Sequence, residues 1–148
     1  MKIEIIAVGR LKSGSSFQLI LQDYLKQLKN SVKITEIDER RFKDKNQQNQ
    51  EIENKIPDES YIIVLDETGT EISSRSFATL IQQKRETATN ICFIIGGADG
   101  LEKTVLSKAN KVISFGKSTW PHMMVRVMLV EQIYRGHQII SGHPYHRD

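Results

Sequence analysis

The chain has 148 residues, of which 39% are hydrophobic and 26% are charged, values that are ordinary for a globular protein of one domain. Its 21 basic and 18 acidic residues leave a net charge of +3, which permits a nucleic-acid partner without indicating one. A single cysteine, Cys92, excludes an intramolecular disulfide and predicts a reducing, cytoplasmic setting. The N-terminal segment is too short for a signal peptide, and no apolar stretch reaches transmembrane length.

The first third of the chain predicts a strand, a helix and a second strand. Residues 2–8 are rich in isoleucine and end at Gly9, as is typical of a strand. From Ser15 to Leu28 apolar residues recur at intervals of three and four, which predicts an amphipathic helix with a serine N-cap. Residues 32–37 predict the second strand.

Residues 39–55 are charged and rich in glutamine and asparagine. They predict either a mobile loop or a solvated helix on the surface. Their cations can contact phosphate, and these are Arg40, Arg41, Lys43 and Lys45.

The middle of the chain predicts buried strands that end in polar or glycine-rich loops. Tyr61 to Leu65 is a continuous apolar strand followed by Asp66 and a turn, and a helix capped by Ser73 or Ser74 comes next. Ile91 to Ile95 is a second apolar strand, which leads into the glycine-rich residues 96–100 and a helix over residues 101–110. A short strand over residues 112–115 is followed by the small-residue loop 116–120.

This alternation predicts an α/β domain with a mainly parallel sheet and helices on both faces. Ligands of such sheets bind at the carboxyl ends of the strands, so the loops after these strands predict a small-molecule pocket. Residues 96–100, with the sequence GGADG, match neither the dinucleotide fingerprint GxGxxG nor the P-loop. A tight turn between strand and helix therefore remains an alternative to a cofactor site.

The last helix is predicted from Pro121 to about Ile140, with Gly142 as its stop. Residues 123–130 are apolar on nearly all sides except at Arg126, which is more than one sheet face requires. The helix therefore predicts a second partner surface. A homodimer is the simplest candidate, and deep burial within a monomer is the alternative.

The C-terminal segment, with the sequence SGHPYHRD, combines histidines, a tyrosine and an arginine and lacks apolar periodicity. Such tails are often disordered, but this composition suits RNA. Tyr145 can stack on a base, Arg135 and Arg147 can hold phosphates, and His146 can exchange a proton near neutral pH. A metal site that uses His143 and His146 ranks low because no further ligand completes a recognisable spacing.

The segments KIEIIAVG, IGGADG, FGKSTWPHMMVRVMLVEQIYR and HPYHRD together resemble the bacterial ribosomal RNA large subunit methyltransferase H family of the SPOUT superfamily. The resemblance covers essentially the whole chain, residues 1–148, as one domain, and it is most specific in the last third. It implies a homodimer with a C-terminal trefoil knot. It also implies methyl transfer from S-adenosylmethionine to N3 of a pseudouridine, in the stem-loop of 23S ribosomal RNA at the intersubunit bridge.

The same resemblance implies which residues bind the cofactor: Leu65, Gly96, Phe115, Gly116, Lys117, Ser118, Thr119 and Trp120. Ala98 and Asp99 depart from the residues most common in this family, but the glycines around them are kept. No metal is expected, because a sulfonium methyl group is already electrophilic. The expected catalytic group comes from the last helix and the tail and consists of His146, Arg135, Tyr145 and Arg147. His146 or a water held by the tail is the expected base. The tail is expected to serve its own pocket or that of a partner subunit.

Two other functions remain as alternatives. The first is a non-catalytic module that binds RNA or the ribosome, which a test of cofactor binding would separate from an enzyme. The second is a nucleotide-binding or metal-dependent hydrolase, whose activity chelators would abolish.

Overall fold

The computed structural model describes residues 1–29 and 31–148, which form a central sheet between two layers of helices. In chain order the elements of these residues are β1 (Ile3–Val8), α1 (Ser16–Gln27), β2 (Val32–Ile37), α2 (Lys45–Lys55), β3 (Tyr61–Glu71), α3 (Ser74–Glu86), β4 (Ile91–Ile95), α4 (Lys103–Lys108), β5 (Lys111–Ser114) and α5 (His122–Ile140). The strand order is β2-β1-β4-β3-β5, and each neighbouring pair is parallel. The predicted α/β fold is confirmed.

Helices cover both faces of the sheet, as predicted. Alternate residues of β1 point to opposite faces, so Ile5 joins a core with α1, α3 and α5 while Ile6 joins a core with α2 and α4. All five residues of β4 are buried, including Cys92. Burial raises the pKa of the Cys92 thiol to about 12. This cysteine is therefore a packing residue.

The segment over residues 39–55 contains the helix that the sequence left as an alternative to a loop, and one side of that helix is buried. Its second half forms α2, which Asp44 caps by accepting a hydrogen bond from the Gln47 backbone N–H at 2.8 Å. Ile52 is fully buried, and the buried Asn49 accepts a hydrogen bond from the Glu102 backbone N–H at 2.8 Å. The helix is therefore not solvated on all sides, because Ile52 and the amides of Gln48 and Asn49 are buried.

Strand β3 continues beyond the predicted turn at residues 67–70. It pairs with β5 in two registers, Leu65 with Ile113 and Thr70 again with Ile113, so the intervening residues bulge out of the ladder. Gly69 lies within this bulge against the β5 backbone. Strand β3 is therefore paired with β5 both before and after the bulge.

Two helices also differ from their predicted extents or surfaces. Helix α4 has six residues, fewer than predicted, and its N-cap Glu102 makes no side-chain capping bond. On α1, Leu19 and Ile20 are 55% and 46% exposed, although the apolar periodicity of this helix places Ile20 on the same face as the buried Leu21. Among the described residues, no helix is long and apolar enough to cross a membrane. The trefoil knot stays a prediction of the family resemblance.

Gly69 is expected to tolerate no side chain. A Cβ at this position would lie 2.6 Å from the backbone carbon of Ile113, which neither strand can relieve without moving. We predict that Gly69→Ala lowers the free energy of unfolding by about 2 kcal/mol or more in chemical denaturation.

The matched control is Gly136→Ala in α5. There the added methyl group would meet the flexible end of Ile81 at 3.3 Å, and alanine favours the helix. Its effect should stay within about 1 kcal/mol. Equal stability of the two variants would show that the β3 bulge yields easily.

Candidate functional site

A cavity of about 580 Å³ lies at the carboxyl ends of β4 and β5 and beside the bulge of β3. We call it the strand-end cavity. The strands are parallel, so the loops that follow them meet at one edge of the sheet. Seven of the eight predicted cofactor-binding residues line it: Leu65, Gly96, Phe115, Gly116, Ser118, Thr119 and Trp120. Lys117 belongs to the same loop but is not among the lining residues.

The glycines of this cavity serve different purposes. A Cβ at Gly96 would lie 2.9 Å from Leu101 Cγ and 3.1 Å from the Gly100 carbonyl, so a side chain there would force the loop open. Gly116 has a φ of +96°, which other residues rarely adopt, and it faces open space. One glycine thus allows close packing, and the other allows the chain to turn after β5.

Three hydrogen bonds hold the loop after β5 against the cavity. Ser114 Oγ donates to the Gly116 carbonyl at 2.5 Å, and Trp120 Nε1 donates to the Phe115 carbonyl at 3.2 Å. Thr119 Oγ1 donates to Glu67 Oε2 at 3.0 Å, which links this loop to the bulge of β3. These hydrogen bonds fix the loop as one wall of the cavity.

The charge of the strand-end cavity is acidic. Asp66, Glu67 and Asp99 line it, while the lining includes neither lysine nor arginine. His122 is the remaining titratable group, and its Nε2 is buried without a hydrogen-bond partner among the described residues. A small ligand that carries positive charge and hydrogen-bonding groups fits this lining.

Three of these residues, Asp66, Glu67 and Asp99, lie in the strand-end loops that the sequence predicts to form a pocket, although none of the three is named there as a binding residue. Nothing in the local sequence pattern marks His122, which reaches the cavity because α5 begins there.

Three of the four predicted catalytic residues meet at the other end of α5. Arg135 donates to Glu131 Oε1 through Nε at 2.9 Å and through Nη2 at 2.5 Å. Its guanidinium carbon lies 4.9 Å from the centre of the Tyr145 ring, and its Nη1 lies 3.1 Å from His146 Nδ1. We call Glu131, Arg135, Tyr145 and His146 the tail cluster. Arg147 lies outside these contacts, in an exposed part of the tail.

The tail is docked and not free. Tyr145 packs edge-on against Tyr134 with ring centres 4.8 Å apart, and its hydroxyl donates to Glu131 Oε1 at 3.1 Å. Burial is the main cause that raises the pKa of Tyr145 above its ordinary value, and hydrogen bonding with Tyr24 is the second. The hydrogen bond with Glu131 raises the pKa of Arg135. Tyr145 is therefore neutral and Arg135 charged at physiological pH.

Within one chain the tail cluster and the strand-end cavity are separate. His122 and Arg135 are 13 positions apart on α5, which corresponds to about 20 Å along the helix at about 1.5 Å per residue. No tail residue is among those that line the cavity. In the described part of the chain, no three His, Cys, Asp or Glu side chains come together as a metal site.

The tautomer of His146 follows from its neighbours. Arginine can only donate, so Nδ1 of a neutral His146 must accept from Arg135, which leaves the proton on Nε2 to be donated to Asp148 Oδ1 at 3.0 Å. We predict that ¹⁵N correlation spectra, recorded at a pH where the His146 ring is neutral, show this histidine with an unprotonated Nδ1. Arg135→Gln should weaken this preference, because its amide can turn either way. A protonated Nδ1 in the unsubstituted protein would contradict the arrangement.

Comparison with known proteins agrees with the α/β fold. A sequence model of the family described as "Predicted SPOUT methyltransferase" matches residues 1–146. A protein of Paracoccus denitrificans named "Ribosomal RNA large subunit methyltransferase H" is 40% identical over 156 residues, covering 100% of both chains. Proteins with the same name from Bradyrhizobium diazoefficiens and Rhodopseudomonas palustris are each 42% identical, covering 99% of both chains.

Proposed function

The chain belongs to the SPOUT methyltransferase family, and from that premise we propose that it methylates large-subunit ribosomal RNA with S-adenosylmethionine as donor. Relatives that match its full length carry the name of a ribosomal RNA large subunit methyltransferase. The proposed acceptor is N3 of a pseudouridine, as the resemblance implies, and the proposed location is the cytoplasm, where ribosomes are found. The observation that carries the proposal is the acidic cavity that seven of the eight predicted cofactor-binding residues line.

The strand-end cavity suits this donor in shape and in charge. Leu65, Phe115 and Trp120 offer apolar surface for an adenine ring, and the glycine loops bring backbone groups within reach of a ribose. Asp66, Glu67 and Asp99 favour the positive charges of an amino group and a sulfonium. When bound, the sulfonium supplies an electrophilic methyl group.

The chain's remaining tasks are to position the acceptor and to assist the loss of its proton. An imide N–H is weakly acidic, so a cation close to it stabilises the anion from which the methyl bond forms. In this proposal Arg135 and Arg147 supply that charge and grip the RNA. Tyr145 stacks on the target base. A water held by the tail takes the proton, or His146 takes it at Nδ1 after Arg135 has turned from that nitrogen to the RNA, because Nδ1 is the only lone pair of the neutral ring.

We propose a homodimer in which the tail of one subunit completes the cavity of the other. The separation of about 20 Å between His122 and Arg135 argues against completion within one chain. The exposed large apolar side chains of the described residues include Leu19, Ile20 and Trp120, which are available for an interface. Trp120 stands at the mouth of the cavity, where a partner's tail would arrive.

The direct test is transfer of labelled methyl from S-adenosylmethionine to purified ribosomes and to protein-free ribosomal RNA, followed by mapping of the modified nucleotide. Label on a pseudouridine of large-subunit RNA supports the proposal, and label on the assembled ribosome alone identifies the ribosome as the substrate. No label on either, together with no binding of the donor, favours a non-catalytic ribosome-binding module.

Truncation after Gly142 should abolish methyl transfer and leave donor binding intact, because residues 143–148 do not line the cavity. Donor binding is measured by calorimetry. A tail that acts on its own cavity is distinguished from one that acts on the partner's cavity by mixing two variants. These are the truncated chain and full-length Ser118→Trp, whose indole would fill the cavity. Each protein alone should be inactive. Activity restored in the mixture shows that the tail acts on its partner, whereas a silent mixture contradicts this.

The acidic lining should distinguish the donor from its demethylated product, which lacks the sulfonium charge. We predict that Glu67→Gln and Asp99→Asn each weaken binding of S-adenosylmethionine by about threefold and affect S-adenosylhomocysteine less, since one exposed charge contributes up to about 1 kcal/mol. Calorimetric titration of both ligands measures the ratio. Glu86→Gln at the end of α3 is the control. An unchanged ratio would show that the carboxylates do not sense the sulfonium.

A further inference from the structure

We infer that the loops after β1 and β2 form a docking surface for the phosphate backbone of the RNA, beside the strand-end cavity. This inference rests on the proposed function. A second cavity, of about 390 Å³, lies between these loops and is lined by Arg10, Leu11, Lys12, Ser13, Asp38, Glu39 and Arg40. We call it the basic basin.

The cations that line the basic basin outnumber its carboxylates by three to two. Asp38 Oδ2 lies 3.6 Å from Arg10 Nη1, and Asp38 Oδ1 lies 3.6 Å from Arg40 Nε, so one carboxylate serves two guanidinium groups. Both arginine side chains remain largely exposed, at 59% and 82%. Such surface ion pairs contribute little energy, so the arginines can turn to a phosphate at small cost. Lys12 is exposed at the same rim.

The second carboxylate of the basin, Glu39, lies beside the backbone of Gly9 and Gly97. Its Oε1 would lie 3.3 Å from a Cβ at Gly97, and its Oε2 would lie 3.5 Å from a Cβ at Gly9. Glu39 also faces the buried guanidinium of Arg126, whose charge it favours. It therefore offsets Arg126 in part and leaves the three exposed cations of the basin available.

Hydrogen bonds fix the loops after β1 and β2 to the rest of the domain. Arg126 donates to the Gly9 carbonyl at 2.9 Å and to Glu36 Oε2 at 2.7 Å, and the same Glu36 oxygen accepts from the Leu11 backbone N–H at 2.7 Å. Arg10 therefore stands between two anchored residues. In the second loop, Asp38 Oδ1 accepts from the Arg40 backbone N–H at 2.9 Å. A surface ordered in advance loses less entropy when it binds.

The basic basin and the strand-end cavity share a wall. Gly97 and His122 line the cavity, Glu39 lines the basin, and Gly9 lies against both His122 and Glu39. All strands are parallel, so both openings are at the same edge of the sheet. Their charges are opposite, acidic for a cationic donor and basic for a polyanion. RNA whose backbone lies in the basin would present its bases near the donor.

The test replaces the three cations together by Arg10→Gln, Lys12→Gln and Arg40→Gln. The matched control is Lys2→Gln, Lys26→Gln and Lys29→Gln, which removes the same charge before β1 and at the end of α1, the opposite edge of the sheet. Binding of each protein to purified ribosomes is measured across a salt series, and binding of S-adenosylmethionine is measured by calorimetry.

We expect the basin variant to bind ribosomes about tenfold more weakly or worse at 0.1 M salt, with an unchanged donor affinity. The slope of log affinity against log salt should flatten by about 2 to 3, because each lost phosphate contact removes about 0.7 to 0.9. The control should keep the slope of the unsubstituted protein.

Equal losses in the basin variant and the control would overturn the inference and indicate a general charge effect. An unsubstituted protein that methylates RNA while the basin variant keeps its ribosome affinity would overturn the inference and leave the proposed function standing. An unsubstituted protein that binds S-adenosylmethionine but no ribosomes would overturn both the inference and the proposed substrate.

Discussion

A buried arginine joins the last helix to the first two strands. Arg126 is 0% exposed, donates to the carbonyls of Val8 and Gly9, and pairs with Glu36. Burial lowers its pKa, while hydrogen bonding to Glu36 opposes that shift. Loss of one partner from a buried pair costs about 3 to 5 kcal/mol, and the one-third exposed Glu36 puts this pair at the lower end. This contact sets where α5 lies on the sheet.

Both proposed parts of the active site depend on that placement. The first turn of α5 closes the strand-end cavity with His122, and its last turns carry the tail cluster around Arg135. A rigid helix keeps these two parts about 20 Å apart in one chain. This geometry suits a dimer, because each copy can offer its cavity to the partner's tail and its tail to the partner's cavity.

The parallel sheet brings the two charged surfaces together. Because all strands run the same way, the loops after β1 and β2 open at the same edge as those after β3, β4 and β5. Acidic residues occupy one part of this edge and basic residues the other. Separation by charge is a physical way to hold a cationic cofactor and an anionic polymer side by side without exchange between the two sites.

The sequence by itself determined the fold class, because apolar runs, helical periodicity and serine caps are local signals that tertiary packing did not overrule. It also pointed to the strand ends, and the resemblance named seven residues that the cavity gathers. Only the tertiary structure decided the roles of Glu67, His122 and Arg126, since the partners of each come from distant segments. The docking of α2 and the distance between tail and cavity were likewise decided by packing, which no local pattern encodes.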